Sequence, residues 1–478
     1  MSNSPLTCQV AVIGSGPGGA ITACLLAEAG RDVLLIEEGR NLPLESCPPF
    51  SHTELEQKYR SGGVTVAFGS PKIQYVEGCC VGGGSEINSG LYHRTPPDLL
   101  QQWQRDFKVI GLLEQDLLPH FQACETALSV GYCPGELPLA SLKLHQGAQS
   151  LGWESREIPR WFRYDKSPSG ELNQGTRQSM TKTFIPRALA AGCQLQAQTS
   201  VKSLHPENGG KRWRIRAVSQ GKAVDIMAET VFVCCGAIQT PALLHRSGIK
   251  HNIGKSLAMH PTVKVVAQFP EVVNPPHVGV PMHQVKEFAP KISFGCSISS
   301  FPYLSLALSD HQVALNHVHT HWSQMAIYYA MITGGQGKIT ILPGFRDPLV
   351  QYHLTPNDLK ALATALQKLC YLLLTAGAEI LYPSISGSPP LTCFDDLNQL
   401  PQSLPRDRSN LMTVHLFSSC PMGEDEQRCA TNSFGQVYGL KNLYIADASL
   451  LCTAPGVNPQ GSIMAIAHRN ALHFLGKL

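Results

Sequence analysis

Short unbroken apolar runs at residues 10–13 and 33–36 flank a stretch whose apolar positions recur at helical spacing. Runs of about four residues without polar alternation read as strands buried on both faces. The stretch between them, from about Pro17 to Ala29, reads as a helix, giving a strand–helix–strand unit with parallel strands. Downstream, residues 99–130 carry Trp103, Phe107, Leu117, Phe121 and Leu128 in a helical pattern. Residues 195–204, 213–218 and 223–227 read as short strands joined by polar turns, and 231–235 as a further doubly buried strand. A helix is predicted to begin near Pro241. Across 262–341 apolar residues alternate, the pattern of an antiparallel sheet. Within that region, 298–308 and 326–332 read as core strands in preference to an apolar entrance.

The clearest helix signal lies at 359–376, where Leu359, Leu362, Leu366, Leu369 and Leu373 share one face. Thr355 stands at its cap, Pro356 in its first turn and Gly377 just past its end. Lys360, Gln367 and Lys368 keep it from reading as a membrane span. Residues 40–75 lack periodicity and read as a surface excursion with short helical pieces. Residues 131–182 are mixed, and 389–408 read as a proline-rich crossover.

A chain of 478 residues exceeds what one core fills. The pattern predicts an α/β protein with a Rossmann-like domain on a parallel sheet and a second, α+β substrate domain on an antiparallel sheet. The first would be assembled from residues 1–115, 185–261 and 405–478, with 116–184 as a cap region and 262–404 as the substrate domain. Net charge is +3 and no basic block stands out, which argues against nucleic acid. The sixteen cysteines form no C-x-x-C pair, and the adjacent pairs Cys79-Cys80 and Cys234-Cys235 are poorly spaced for a shared metal. Reduced thiols in a cytoplasmic protein follow, and the nine residues before the first strand are too few for a secretory leader. His317, His319 and His321 alternate, so a strand would project them from one face. A satisfied or substrate-facing polar strip is the reading preferred over metal, and no metal is predicted.

The chemistry starts at Gly14-Ser15-Gly16-Pro17-Gly18-Gly19, between the first strand and its helix. Gly14 allows the tight turn, Gly16 lets backbone reach a pyrophosphate, and Gly19 lets helix and strand pack closely. The helix start then offers free N–H groups to phosphate oxygens. Glu37, at the end of the second strand, stands where an acid accepts ribose hydroxyls, with Glu38 beside it. A second glycine loop, Gly82-Gly83-Gly84-Ser85 with Asn88-Ser89-Gly90, permits close backbone approach to another part of a ligand. The tail carries His415, Asp447-Ala448 after a short apolar run, and Asn458-Pro459 before a final helix at 463–475. Taken alone, His415 reads as a hydrogen-bonded core histidine.

Four separated motifs in one order carry a family resemblance. They are the first glycine turn, Gly82-Gly83-Gly84-Ser85 with Asn88, Cys235-Gly236-Ala237-Ile238-Gln239-Thr240-Pro241, and the tail from His415 to Asn458. The chain resembles the glucose–methanol–choline oxidoreductases, FAD enzymes that oxidise alcohols. Residues 252–261 and Gly377-Ala378 are most similar to the long-chain alcohol oxidase branch. The resemblance implies that Gly14, Gly16, Pro17, Gly18, Gly19, Glu37 and Glu38 hold the ADP half of FAD, with the Val201 backbone at the adenine. It implies that Gly82, Gly83, Gly84, Ser85, Asn88, Ser89 and Gly90 line the flavin end. Cys235, Gly236, Asp447 and Ala448 would serve the pyrophosphate and ribityl chain, and His415 with Asn458 and Pro459 would face ring and substrate. Glu86-Ile87 stands where some relatives attach flavin through histidine, so noncovalent FAD is expected.

The implied reaction is oxidation of a hydrophobic primary or secondary alcohol, long-chain or sterol-like, by hydride transfer to flavin N5 with His415 as base. Oxygen or another carrier would take the electrons, and peripheral membrane contact stays open. Two other readings share the scaffold: a non-redox lyase or light-dependent enzyme acting on fatty acids, and a non-catalytic flavin-binding partner subunit. Ser418-Ser419, Cys452 and Gly461 depart from the family pattern of Gly-Thr, proline and a hydroxyl residue.

Overall fold

The computed structural model describes residues 6–165, 175–275 and 280–478. β1 (Leu6–Ile13) and β2 (Val33–Ile36) pair in parallel, with helix α1 (Pro17–Glu28) crossing between them. All of β2 and the second half of β1 are buried, as a sheet covered on both faces requires. β3 (Gln194–Gln196) adds in parallel beyond β2. β4 (Thr199–Glu207), β5 (Arg212–Ser219) and β6 (Lys222–Val233) form an antiparallel meander whose last strand also pairs in parallel with β1. The strand Leu443–Ile445 joins the end of β6 and completes a seven-stranded sheet.

The separate strands expected at 223–227 and 231–235 are one, β6. Asp225 and Glu229 fall on its exposed side, so they alternate with buried positions without ending it. The helix expected from Pro241 starts earlier, as α2 (Gly236–Arg246), because Gly236 at φ 85° turns the chain directly out of β6. The pattern at 99–130 splits into helices Pro97–Phe107 and Glu114–Ala127, with Lys108 and Gly111 at positive φ turning the chain between them.

The second sheet has nine strands. β7 (Thr262–Gln268), β8 (His283–Val285), β9 (Ile292–Cys296) and β10 (Met325–Ile332) lie in the order β7–β10–β9–β8, all antiparallel. Thr65–Ala67 and Ile73–Tyr75 also belong to it, so the expected surface excursion at 40–75 is partly sheet; three-residue strands are too short to leave a period in the sequence. Two helices, α3 (Phe301–Ala307) and α4 (Gln312–His321), interrupt the alternation read across 262–341. Residues 298–308 are therefore not a core strand, whereas 326–332 lie in β10. The three alternating histidines sit on α4, where Ala314 and Val318 face the core and His317 and His319 are exposed. They do not share a face, and no group of three or more His, Cys, Asp or Glu among the described residues could hold a metal ion.

Helix α5 (Pro356–Thr375) backs the second sheet together with helix Leu139–Ser150. Thr355 Oγ1 accepts from the Asp358 N–H at 3.2 Å while the Thr355 N–H donates to the Asp358 carboxylate at 2.7 Å. Such a reciprocal cap is worth about 1 kcal/mol. No helix among the described residues is long and apolar enough to cross a membrane.

Candidate active site

A cavity of ≈ 1320 Å³ runs from the carboxyl ends of β1 and β2 to the face of the second sheet. Its first wall is the glycine turn. A Cβ on Gly14 would stand 2.3 Å from the Cys234 carbonyl oxygen, one on Gly18 1.8 Å from that of Ala446, and one on Gly19 1.9 Å from that of Gly14. Those three glycines exist for backbone packing. Gly16 differs: a Cβ there would meet nothing within 4 Å, so the space above it is left for a ligand. Gly83 abuts Gly16, and Ser15 ties the two glycine loops together. Its hydroxyl donates to Glu37 Oε2 (2.7 Å) and accepts from the Gly82 N–H (3.0 Å).

Glu37 also accepts from the Ser15 N–H through Oε2 (3.0 Å) and from the Gly39 N–H through Oε1 (2.8 Å). Burial holds its carboxyl above the ordinary carboxylate range, against the opposing pull of these bonds. Oε1 keeps an acceptor position toward the cavity. Glu38 and Glu77 flank Arg60, whose two ion pairs close this end of the cavity. Asp447, expected at the pyrophosphate, is saturated from within. Oδ2 accepts from the Gly236 N–H (2.9 Å) and the Thr240 hydroxyl, and Oδ1 from the Ser449 N–H (2.8 Å) and hydroxyl. It pins the start of α2 against the loop after the last strand.

Most of the expected residues line the cavity: Gly14, Gly16, Pro17, Gly18, Glu37, Glu38, Gly83, Gly84, Asn88, Ser89, Gly90, Val201, Cys235, Gly236, Asp447, Ala448, His415, Asn458 and Pro459. Three stand behind it. Gly19 packs on Gly14, Gly82 bonds Ser15, and the buried Ser85 donates to the Gly82 carbonyl (2.7 Å) and accepts from the Met180 N–H (3.0 Å).

His415 and Asn458 meet at the far end, 3.3 Å apart. His415 follows the strand Leu411–Thr413, and Asn458 precedes the helix Gln460–Phe474, to which Pro459 is the cap. Behind His415 lies His260, a residue to which sequence reasoning gave no role. The Gly456 N–H donates to His260 Nε2 (3.1 Å), and the two histidines face each other through Nδ1 at 3.0 Å. Burial holds His260 well below its ordinary range and His415 at about 4, so both rings are neutral.

Polarity then runs one way. His260 accepts at Nε2, carries its proton on Nδ1 and donates to His415 Nδ1, which leaves the His415 proton on Nε2. With its Nδ2 toward that atom, Asn458 would oppose donor to donor, so its amide oxygen belongs there instead. Gln284 bonds Asn458 at 3.0 Å and Tyr329 at 3.1 Å, and its amide turns with that of Asn458. Its NH2 then replaces the otherwise unpartnered Oε1 and is directed to His93, whose ring nitrogens also lack partners. His260, Gln284, Tyr329 and His93 are the parts of the site that sequence reasoning missed. The one available signal was the apolar setting of Met259-His260-Pro261.

The departures from the family pattern have local causes. Gly461 lets the last helix approach the chain, since a Cβ there would stand 2.1 Å from the His93 carbonyl oxygen. The Cys452 thiol donates to the Met422 carbonyl (3.3 Å). Ser418 is less comfortable: it lies at φ 66°, and its buried hydroxyl has no partner among the described residues. Left-handed backbone costs a residue with a Cβ about 1–2 kcal/mol. Ser418→Gly is expected to stabilise the protein by about 1 kcal/mol after the larger unfolded-state freedom of glycine is counted. A rise in the thermal midpoint checks this, and an unchanged or lower midpoint contradicts it.

A cavity of this form suits a two-part dinucleotide, with phosphates over Gly16 and a reactive ring beside His415, and marks the chain as a flavin-type oxidoreductase. Comparison with known proteins agrees. Two GMC oxidoreductase family models match residues 55–262 and 335–467, and a pyridine nucleotide-disulphide oxidoreductase model matches residues 8–85. The chain belongs to the GMC oxidoreductases, enzymes acting on CH–OH donors, and its cofactor is FAD. It is 38% identical to an uncharacterized GMC-type oxidoreductase, y4nJ, of Sinorhizobium fredii, over 98% of this chain and 95% of that one. It is 25% identical to the long-chain-alcohol oxidase FAO4A of Arabidopsis thaliana, over 97% of this chain and 68% of that one. Among solved structures, pyridoxine 4-oxidase from Mesorbium loti is similar with a TM-score of 0.74 at 18% identity, covering 98% and 99% of the two chains.

Proposed function

We propose that the chain oxidises an alcohol with a substantial apolar part, with His415 and Asn458 holding the reacting oxygen. The observation that carries this reading is the placement of those two polar groups at one end of a cavity whose other end is the Gly16 turn. The cavity walls also include Val66, Ile298, Leu306, Ile327, Met331 and Met412. The long-chain-alcohol oxidase and pyridoxine 4-oxidase relatives support alcohol oxidation, and their names favour oxygen as acceptor. No histidine stands at Glu86-Ile87, which favours noncovalent FAD. All sixteen cysteines are free, which fits a reducing, cytoplasmic setting.

Bound FAD supplies a hydride acceptor, and the protein supplies the proton chemistry. An alcohol C–H becomes a good hydride donor as its O–H proton leaves, and His415 is the base for that proton. At rest its Nε2 holds a proton and donates to the substrate oxygen. To accept instead, the ring needs its own proton on Nδ1, so His260 must take the opposite tautomer and release the Gly456 N–H. Asn458 donates to the oxygen as negative charge develops there. The test is anaerobic titration of the holoprotein with alcohols of increasing chain length, followed by air and a peroxide assay. Bleaching of the flavin and peroxide on reoxidation are expected. A flavin that no alcohol bleaches, or turnover that appears only under light, overturns the reading.

A further inference from the structure

Among the described residues nothing neutralises Lys264, a cation that lines the cavity. Lys264 lies on β7, and the cross-strand neighbour on its face is Tyr329 of β10, whose hydroxyl is bonded by Gln284 and through it linked to Asn458. Thr262 and Met331 form the next pair toward His415 and also line the cavity. The opposite face of β7, Val263, Val265 and Ala267, packs into the core with α5. Val266 continues the Lys264 face under α3 and α4. Lys264 thus stands on the cavity floor at the substrate end, away from the Gly16 turn.

The five carboxylates that line the cavity are all engaged elsewhere. Glu37 is held by Ser15 and Gly39, Glu38 and Glu77 by Arg60, Asp447 by Gly236, Thr240 and Ser449, and Asp310 by Asn410. Among the described residues none of them pairs with Lys264, and no acceptor bonds its ammonium. Burial lowers its pKa to about 8 and no charged group offsets this. A lysine so placed costs free energy unless an anion joins it.

We infer that the substrate is an alcohol that also carries a carboxylate, seated on Lys264 with its hydroxyl at His415 and Asn458 and its apolar chain along Met331 and Met412. A single ammonium matches a single negative charge, and its half-buried position weakens screening by water. This rests on the alcohol-oxidation reading and narrows its substrate. The reaction balances as before: the carbinol C–H bond breaks with its electron pair going to FAD, the O–H proton leaves to the protein, and the carboxylate is unchanged.

The experiment compares straight-chain ω-hydroxy carboxylates with 1-alkanols of matching length in anaerobic reduction of the holoprotein. The hydroxy acid is expected to be better in kcat/KM by about tenfold or more, as a charge-assisted bond in an apolar site provides. Lys264→Met should remove that preference with FAD content unchanged, and Lys264→Arg should keep part of it. A second readout needs no turnover. An alkanoate without the hydroxyl should perturb the flavin spectrum of the wild type on binding, and should do so about tenfold more weakly in Lys264→Met. Equal rates for acid and alkanol in the wild type, or alkanoate binding unaffected by Lys264→Met, overturn the inference while leaving alcohol oxidation standing. If no alcohol reduces the flavin yet alkanoates bind through Lys264, the oxidation reading falls and the anion site remains.

Discussion

His415→Ala is expected to slow anaerobic flavin reduction by about a hundred- to ten-thousand-fold while FAD stays bound, the usual contribution of a positioned general base. The cofactor stays because His415 lies at the opposite end of the cavity from the Gly16 turn. The pH profile sharpens the expectation. Burial holds the imidazole at about 4, so it is neutral throughout the range above that and accepts the proton once the His260–His415 tautomers have switched. Reduction in the wild type should therefore be flat in pH above about 5 as far as His415 is concerned, and should fall as pH drops toward 4 and the ring protonates. Stopped-flow reduction across pH in both proteins measures this. Undiminished bleaching in the variant, or a wild-type rate that rises on acidification, removes His415 from the proton step.

The second large effect separates two glycines that look alike in sequence. Gly18→Ala is expected to prevent folding, because its Cβ would stand 1.8 Å from the Ala446 carbonyl oxygen, backbone that cannot step aside. Overpacking typically costs about 1–3 kcal/mol, and a clash with backbone on this scale exceeds that range. Gly16→Ala should fold with an unchanged apoprotein melting point, since its methyl meets nothing and its φ of −63° suits alanine. That methyl occupies the space for the phosphates, so the flavin content of the purified protein should drop at least tenfold. Full flavin occupancy in Gly16→Ala would show that the phosphates lie elsewhere.

The cofactor half of the site was legible because its signals are local. A glycine turn, its flanking apolar strands and the acid at Glu37 sit within one strand–helix–strand unit, and each residue type has one physical reason to be there. Sequence reasoning separated Gly16, which faces the ligand, from Gly19, which packs on Gly14, but it could not tell that Ser85 braces the second loop and does not line the cavity. The substrate half was mostly illegible. Lys264 reads in sequence as the polar position of an alternating strand, which normally faces water. It faces a cavity only because α3 and α4, drawn from residues 301–321, cover the same side of the sheet. His260 gains meaning only opposite His415, more than a hundred residues away. The mistaken strand for His317, His319 and His321 came from reading a period of two where Ala314 and Val318 keep a helical one.

The interleaving of the first sheet also bears on how the protein is made. β1 is synthesised first, its neighbour β6 comes some two hundred residues later, and the strand that completes the β6 pairing is Leu443–Ile445. The helix Gln460–Phe474 then lies against α1, near the opposite end of the chain. During translation the phosphate turn therefore emerges before its sheet is finished, and the apolar edge of β6 stays unpaired until residues 443–445 have emerged. Flavin capture is therefore expected to wait for residues 443–445. Ribosome-stalled chains that stop short of residue 443 should carry no bound FAD.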